Sequence, residues 1–166
     1  LFGGPSSLLG NSAPRGVGGV IALSGGRLAF VDPTVPLGGG VVASHFQSNS
    51  AGGDADSNGK GGSGGAIYVN GGILSVVQSS FIGNSSTHGT GGGIYFNNID
   101  GGNATKLWVV NSTFNGNSAD QAGGALINRD TNGAVDIRNS KYRAGPVALQ
   151  SAGGTIRWRK VLIRAV

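Results

Sequence analysis

The stretch that decides the fold is Val76-Val-Gln-Ser-Ser-Phe81-Ile-Gly-Asn84-Ser-Ser, followed after a short loop by Gly91-Gly-Gly-Ile94. Apolar and polar residues alternate up to the aromatic anchor Phe81, which is the period-two pattern of a half-buried strand. An asparagine turn comes next, and a glycine pair then leads into an apolar run. The stretch predicts the order strand, Asn turn, Gly-Gly strand, turn.

The same order recurs along the chain. The anchors are 38, 35, 33 and 28 residues apart, and they are Leu8, Phe46, Phe81, Phe114 and a degenerate Tyr142. The segments after the anchors share a glycine pair before an apolar run, and they are Gly18-Gly-Val-Ile21, Gly64-Gly65-Ala-Ile67, Gly91-Gly92-Gly-Ile94, Gly123-Gly124-Ala-Leu126 and a decayed Gly145-Pro-Val-Ala148. A strand-only repeat cannot bury its apolar face alone, so its copies must stack. We expect an all-β right-handed parallel β-helix of about five coils.

Stacking of the repeats predicts a location for each recurring position. Phe46, Phe81, Phe114 and Tyr142 should form an internal aromatic stack, and Ile21, Ile67, Ile94 and Leu126 an aliphatic one. Asn49, Asn84 and Asn117 should occupy a corner, because Asn accepts a positive φ and its amide can bond from coil to coil. The glycine pairs should occupy the next corner, where close packing leaves no room for Cβ.

Composition narrows the class of protein. Glycine supplies 34 of 166 residues, charged residues only 11%, and cysteine none, so a disulfide framework or thiolate site is excluded. The net charge of +5 is concentrated toward the end of the sequence, without an aromatic array or reader motif that would indicate nucleic acid. No apolar run is long enough for a transmembrane segment. We interpret residues 1–166 as one β-helical region, a fragment of a larger surface or secreted protein.

Few side chains suggest chemistry. Asp54, Asp56 and Asn58 alternate ahead of Gly59 like the first half of a calcium loop, but Gly65 stands where the bidentate Glu is wanted. Calcium is the one cofactor that this segment suggests, and the alternative to a calcium site is a polar insertion loop. The seven aspartates are otherwise scattered, and His45 and His88 have no Ser or Cys partner at a motif spacing. We therefore expect no catalytic residue.

Three glycosylation sequons begin at Asn84, Asn103 and Asn111, and they matter only in a eukaryotic secretory route. Asn103 follows an Asp-Gly-Gly turn and should be the most accessible. Asn84 falls on the predicted repeat corner, and Asn111 on a predicted strand.

The repeat resembles that of the chlamydial polymorphic outer membrane proteins, whose elements are Gly-Gly-Ala-Ile and Phe-x-x-Asn. Gly64-Gly-Ala-Ile67 matches the first element, and Phe46–Asn49, Phe81–Asn84 and Phe114–Asn117 match the second. The resemblance implies a non-catalytic adhesive or structural β-helix, extracellular or on the cell surface, of the kind that a passenger region displays or a filament subunit uses. Expected partners are glycans or surface proteins, and flanking segments or other subunits stacked on the β-helix ends. The alternative is a carbohydrate-binding or pectin-lyase-like polysaccharide-cleaving β-helix.

Overall fold

A computed structural model gives the architecture of the chain. It describes residues 6–24, 27–29, 44–53, 61–71, 73–97, 107–128, 135–138, 141–142, 156–159 and 162–163. The regular elements within these ranges are all strands. In chain order they are β1 (Ser6–Leu9), β2 (Ser12–Ala13), β3 (Ile21–Ser24), β4 (Arg27–Ala29), β5 (Ser44–Gln47), β6 (Ser50–Gly52), β7 (Ile67–Asn70), β8 (Ile73–Val77), β9 (Ser80–Ile82), β10 (Ser85–Thr87), β11 (Ile94–Asn97), β12 (Leu107–Val110), β13 (Thr113–Asn115), β14 (Ser118–Ala119), β15 (Leu126–Asn128), β16 (Val135–Arg138), β17 (Lys141–Tyr142), β18 (Ile156–Arg159) and β19 (Leu162–Ile163).

The strands form four parallel sheets. Sheet A has the order β1-β5-β9-β13-β17-β19, sheet B β2-β6-β10-β14, sheet C β3-β7-β11-β15 and sheet D β4-β8-β12-β16-β18. From β1 to β16, each successive strand lies in the next sheet, and every fourth strand returns to the same sheet. The fold is thus all-β with parallel strands in stacked sheets, an arrangement compatible with a parallel β-helix.

The register places equivalent repeat positions opposite one another. Phe46 is paired with Phe81, and Phe114 with both Phe81 and Tyr142. Ile67 is likewise paired with Ile21 and Ile94. Because one face of each strand is apolar, a one-residue slip would turn the whole buried set outward, so this register is strongly specified.

Corners of the chain coincide with residues in the left-handed region. Gln78 (φ 48°) separates β8 from β9, and Asn111 (φ 51°) separates β12 from β13. The alternating run from Val76 to Phe81, predicted as one strand, is therefore two strands in two sheets. The prediction that Asn111 lies within a strand is also wrong. A non-glycine left-handed residue costs about 1 kcal/mol, and glutamine at position 78 gives no sequence signal comparable to that of glycine.

The main hydrophobic core is built from side chains of sheets A, C and D. Phe81 is parallel to Phe46 and to Phe114, with ring centroids 4.6 and 4.9 Å apart, and this confirms the aromatic stack for those three residues. The side chain of Tyr142 lies outside the described residues. The aliphatic stack is also confirmed, since Ile67, Ile94 and Leu126 are buried in register and Ile21 packs against them. These stacks fill the interior with apolar side chains in continuous columns.

A second, smaller apolar cluster lies on the outer face of sheet C. Tyr68 and Tyr95 are stacked with ring centroids 4.9 Å apart, and Ile127 continues their row. Val17 and Ala122, from the segments that precede the glycine pairs, pack against this cluster. Sheet C is therefore buried on both faces along this row, which explains why β7 and β11 read as continuous apolar runs rather than alternating ones.

Candidate functional site

The asparagines form a buried ladder at the corner between sheets A and B. The Oδ1 atom of Asn84 accepts hydrogen bonds from the backbone N and the Nδ2 of Asn49, at 3.1 and 2.9 Å. Asn117 accepts the same pair from Asn84, at 3.0 and 2.8 Å. Asn49 accepts it from Asn11, at 2.9 and 3.0 Å. The predicted coil-to-coil bonding of the Asn side chains is therefore confirmed.

The remaining amide hydrogens of the ladder are also used. Asn84 Nδ2 donates to the Phe46 carbonyl at 3.1 Å, and Asn117 Nδ2 donates to the Phe81 carbonyl at 2.9 Å. Asn49, Asn84 and Asn117 are at most 1% exposed. A buried amide is costly unless its donors and acceptor are satisfied, and for Asn49 and Asn84 both amide hydrogens and the oxygen have partners.

The prediction that asparagine occupies this corner because it accepts a positive φ is wrong. The positive φ belongs to the residue before each Asn, namely Gly10, Ser48, Gly83 and Gly116, with φ between 54° and 64°. Asparagine is therefore placed there by its hydrogen bonds rather than by its tolerance of the left-handed region. The preceding residue makes the turn.

A serine ladder at the corner between sheets D and A was not predicted. Ser79 Oγ accepts from the backbone N of Ser44 at 3.4 Å and donates to the Val77 carbonyl at 2.9 Å. Ser112 Oγ accepts from the backbone N of Ser79 at 3.3 Å and donates to the Val110 carbonyl at 3.0 Å. The signal was present in the sequence, because a serine stands two residues before every anchor, at Ser6, Ser44, Ser79, Ser112 and Ser140.

The glycine pairs form the corner that leads into sheet C. The first glycine of each pair is left-handed, with φ of 71° at Gly64, 69° at Gly91 and 64° at Gly123. A Cβ on the second glycine would collide with backbone, since at Gly65 it would overlap the carbonyl oxygen of Gly92 and lie 2.7 Å from the Ser85 carbonyl carbon. At Gly92 it would overlap the carbonyl oxygens of Ser118 and Gly124. The predicted close packing is confirmed for the pairs around Gly65 and Gly92.

Outward side chains of sheets A and B are mostly hydroxyls and amides. Ser12, Ser50, Ser85 and Ser118 form one row in register, and the Ser50 hydroxyl donates to Ser12 at 3.0 Å. Among the side chains that the structure describes, formal charge is confined to Arg15 and Asp120. The described outer faces of sheets A and B are thus mostly polar and nearly uncharged.

Both histidines join neighbouring repeats. His88 Nδ1 bonds the Gly53 carbonyl at 3.1 Å, while the backbone N of His88 donates to Asp120 Oδ2 at 2.9 Å. His45 hydrogen-bonds Ser80 Oγ through Nδ1, and it contacts Gln47 Oε1 through Nε2 at 3.0 Å. The expectation that His45 has no serine partner rested on spacing within the sequence. The repeat brings a serine 35 residues away beside it.

Two of the sequence-based site predictions lie outside the described residues. These are the candidate calcium ligands Asp54, Asp56 and Asn58, and the sequon at Asn103. In the described part, no group of three or more His, Asp or Glu side chains is close enough to hold a metal ion.

The other two sequons differ in accessibility. Asn84 is fully buried in the ladder, so the folded chain does not present its amide. Asn111 is exposed at the bend between β12 and β13.

Comparison with protein-family models, with curated proteins and with solved structures finds no match for this chain. In the part of the chain that the structure describes, no helix has the length and apolar character needed to cross a membrane.

Proposed function

We propose that the chain is a right-handed parallel β-helix of about five coils that serves as a structural or adhesive module, secreted or displayed at the cell surface. The cyclic order of sheets A, B, C and D supports the solenoid, and parallel strands joined by crossovers are right-handed in nearly all proteins. The resemblance of Gly64–Ile67 and Phe81–Asn84 to the polymorphic outer membrane protein repeat supports the surface location.

The observation that carries the proposal is the asparagine ladder. Asn11, Asn49, Asn84 and Asn117 satisfy one another inside the molecule, so the scaffold does not depend on the identity of the outward residues. Loops between strands can then vary while the ladder persists. A rod that presents ligands requires a scaffold that stays folded while its loops vary, and a filament subunit requires the same.

A carbohydrate-binding or carbohydrate-cleaving β-helix is the second candidate. Trp108 favours it, because this side chain is half-buried on the outer face of sheet D while its neighbours Leu107 and Val109 are fully buried. A half-exposed indole can stack on a sugar ring. Tryptophan in a partly covered row is also ordinary packing, so the two functions need a direct test.

The test is a binding and depolymerisation screen of the chain with its natural flanking segments. Acidic and neutral polysaccharides and cell-surface extracts are presented in calcium and in chelator, and the state of assembly is followed by sizing and electron microscopy. Binding without cleavage, or filament assembly, supports the structural or adhesive module. Release of oligosaccharides contradicts it.

Matched variants locate any binding that is found. Trp108→Ala should weaken glycan binding only if sheet D carries the site, and Asn115→Ala on sheet A serves as the control. Calcium dependence that disappears in Asp54→Asn with Asp56→Asn would assign calcium binding to residues 54–60. An absence of both binding and assembly contradicts the proposal.

A further inference from the structure

We propose that Ser80 is an activated nucleophile that accepts acyl groups from small esters, with His45 as its general base. The two residues are register partners on β5 and β9, and His45 Nδ1 hydrogen-bonds Ser80 Oγ. His45 Nε2 contacts Gln47 Oε1 at 3.0 Å. Nucleophile, base and a third group that orients the base thus form one chain of hydrogen bonds.

The acceptor group of Gln47 determines which nitrogen of the His45 imidazole carries the hydrogen. The side-chain oxygen of Gln47 can only accept, so Nε2 of His45 carries the hydrogen of the neutral imidazole. Nδ1 then holds the lone pair, and Ser80 donates its hydroxyl hydrogen to it. This is the tautomer that a general base needs.

The scaffold holds the pair in place. Each partner is flanked by buried residues, with Ser44 and Phe46 beside His45 and Ser79 and Phe81 beside Ser80. The rings of Phe46 and Phe81 are stacked with centroids 4.6 Å apart, and the backbone N of Ser44 donates to Ser79 Oγ. These contacts join β5 to β9 on either side of His45 and Ser80. A base held by rigid strands meets the positional demand of catalysis better than one on a loop.

The outer face suggests the class of substrate. Thr113 is the register partner of Ser80 on the side away from His45 and offers a hydroxyl donor, while Ile82 is the partner of Gln47 and offers apolar surface. Ser80, Thr113 and Ile82 are all half-exposed. An open, uncharged face of this kind fits short, uncharged acyl groups such as acetyl esters.

The reaction balances without another reactant except water. Ser80 Oγ bonds the ester carbonyl carbon as His45 Nδ1 takes its proton, and the carbon–oxygen bond to the leaving alcohol breaks as that alcohol takes the proton from His45. Water then attacks the acyl-Ser80 ester as His45 Nδ1 takes its proton. The bond from the acyl carbon to Ser80 Oγ breaks as Oγ takes that proton back from His45, and the acid departs.

The experiment treats the full chain with a fluorophosphonate probe and with p-nitrophenyl acetate, and maps the modified residue by mass spectrometry. We expect adducts on Ser80 and release of p-nitrophenol from the ester. His45→Asn should lower the Ser80 rate about 100-fold, the lower end of what a general base contributes. Ser85→Ala, in the adjacent serine row, is the control and should change nothing.

Gln47 acts as a positioning residue, and two variants separate that role from a general loss of structure. Gln47→Leu should slow Ser80 labelling at unchanged melting temperature, and Gln47→Glu, which keeps an acceptor for Nε2, should restore the labelling. Equal labelling of Ser80 and Ser85, a Ser80 rate unaffected in His45→Asn, or no labelling would overturn the inference. These outcomes are independent of the adhesive function, which rests on the binding screen.

Discussion

Two corners of the repeat both use left-handed residues, but they differ in the space around them. At the corner before the asparagine ladder, a Cβ on Gly116 would have no atom within 4 Å, and Ser48 occupies the equivalent position with φ of 54°. At the glycine-pair corner, a Cβ on Gly65 would overlap the backbone of the next repeat. Glycine thus serves backbone conformation at the first corner and close packing at the second.

The difference explains how the repeat can vary. The position before the asparagine accepts a side chain at the cost of some strain, because that side chain points into open space. The second glycine of the pair has no such freedom, because the obstructing atoms at Gly65 are backbone carbonyl groups of Ser85 and Gly92, which are closely packed and cannot easily shift. Sequence variation should therefore concentrate at the first corner.

The largest effect is expected for Gly65→Ala. The added methyl group must displace the backbone of Gly92 and Ser85, and we expect a loss of about 4 kcal/mol in unfolding free energy, a large fraction of the stability of a typical domain. Gly116→Ala is the matched control, and the left-handed strain should cost about 1 kcal/mol. Denaturant unfolding measures both, and similar losses in the two variants would break the comparison.

An intermediate effect is expected for Asn84→Ala. The substitution leaves the backbone N and Nδ2 of Asn49 without their acceptor, and unsatisfied buried donors cost about 1–3 kcal/mol each. We expect a total loss of about 3 kcal/mol in a thermal or denaturant melt. Asn115→Ala, on the half-exposed outer face, should change stability by less than about 0.5 kcal/mol. If the two asparagine variants melt together, the ladder is not a source of stability.

The smallest effect is expected for Ser48→Gly, and it has the opposite sign. Relief of left-handed strain at φ 54° should outweigh the added entropy of the unfolded chain, giving a stabilisation of about 0.5 kcal/mol. The reciprocal variant Gly83→Ser should destabilise by a similar amount, because the nearest atom to its Cβ is 3.9 Å away and strain is its main penalty. Melting temperatures of the two variants, each compared with the unsubstituted chain, check the sign of the stability change. A lower melting temperature for Ser48→Gly would contradict the account.

Much of the fold followed from the sequence because the repeat marks the same positions several times. Phe46, Phe81 and Phe114 could be assigned to one stack from spacing alone, and the structure aligns them in register. The prediction failed where one strand was read through a bend, between Val77 and Ser80. Gln78 takes a left-handed conformation there without the glycine that would have revealed it.

The candidate site was predictable only in part. The asparagine ladder followed from spacing, whereas the serine ladder was missed although serine recurs two residues before each anchor. The pairing of His45 with Ser80 depends on which positions become neighbours across a sheet, at a separation of 35 residues. Local motifs cannot report such a contact, but an aligned repeat can.

The most direct test of the in-register stack uses the absence of cysteine from the chain. Ser50 and Ser85 are direct partners on adjacent strands, while Ser50 and Ser118 are separated by the strand of Ser85. Neighbouring strands lie about 4.8 Å apart, within reach of a disulfide, and alternate strands lie beyond it. The account predicts rapid oxidation to an intramolecular disulfide in Ser50→Cys with Ser85→Cys and none in Ser50→Cys with Ser118→Cys. Equal oxidation of the two pairs, or oxidation of the second alone, would contradict it.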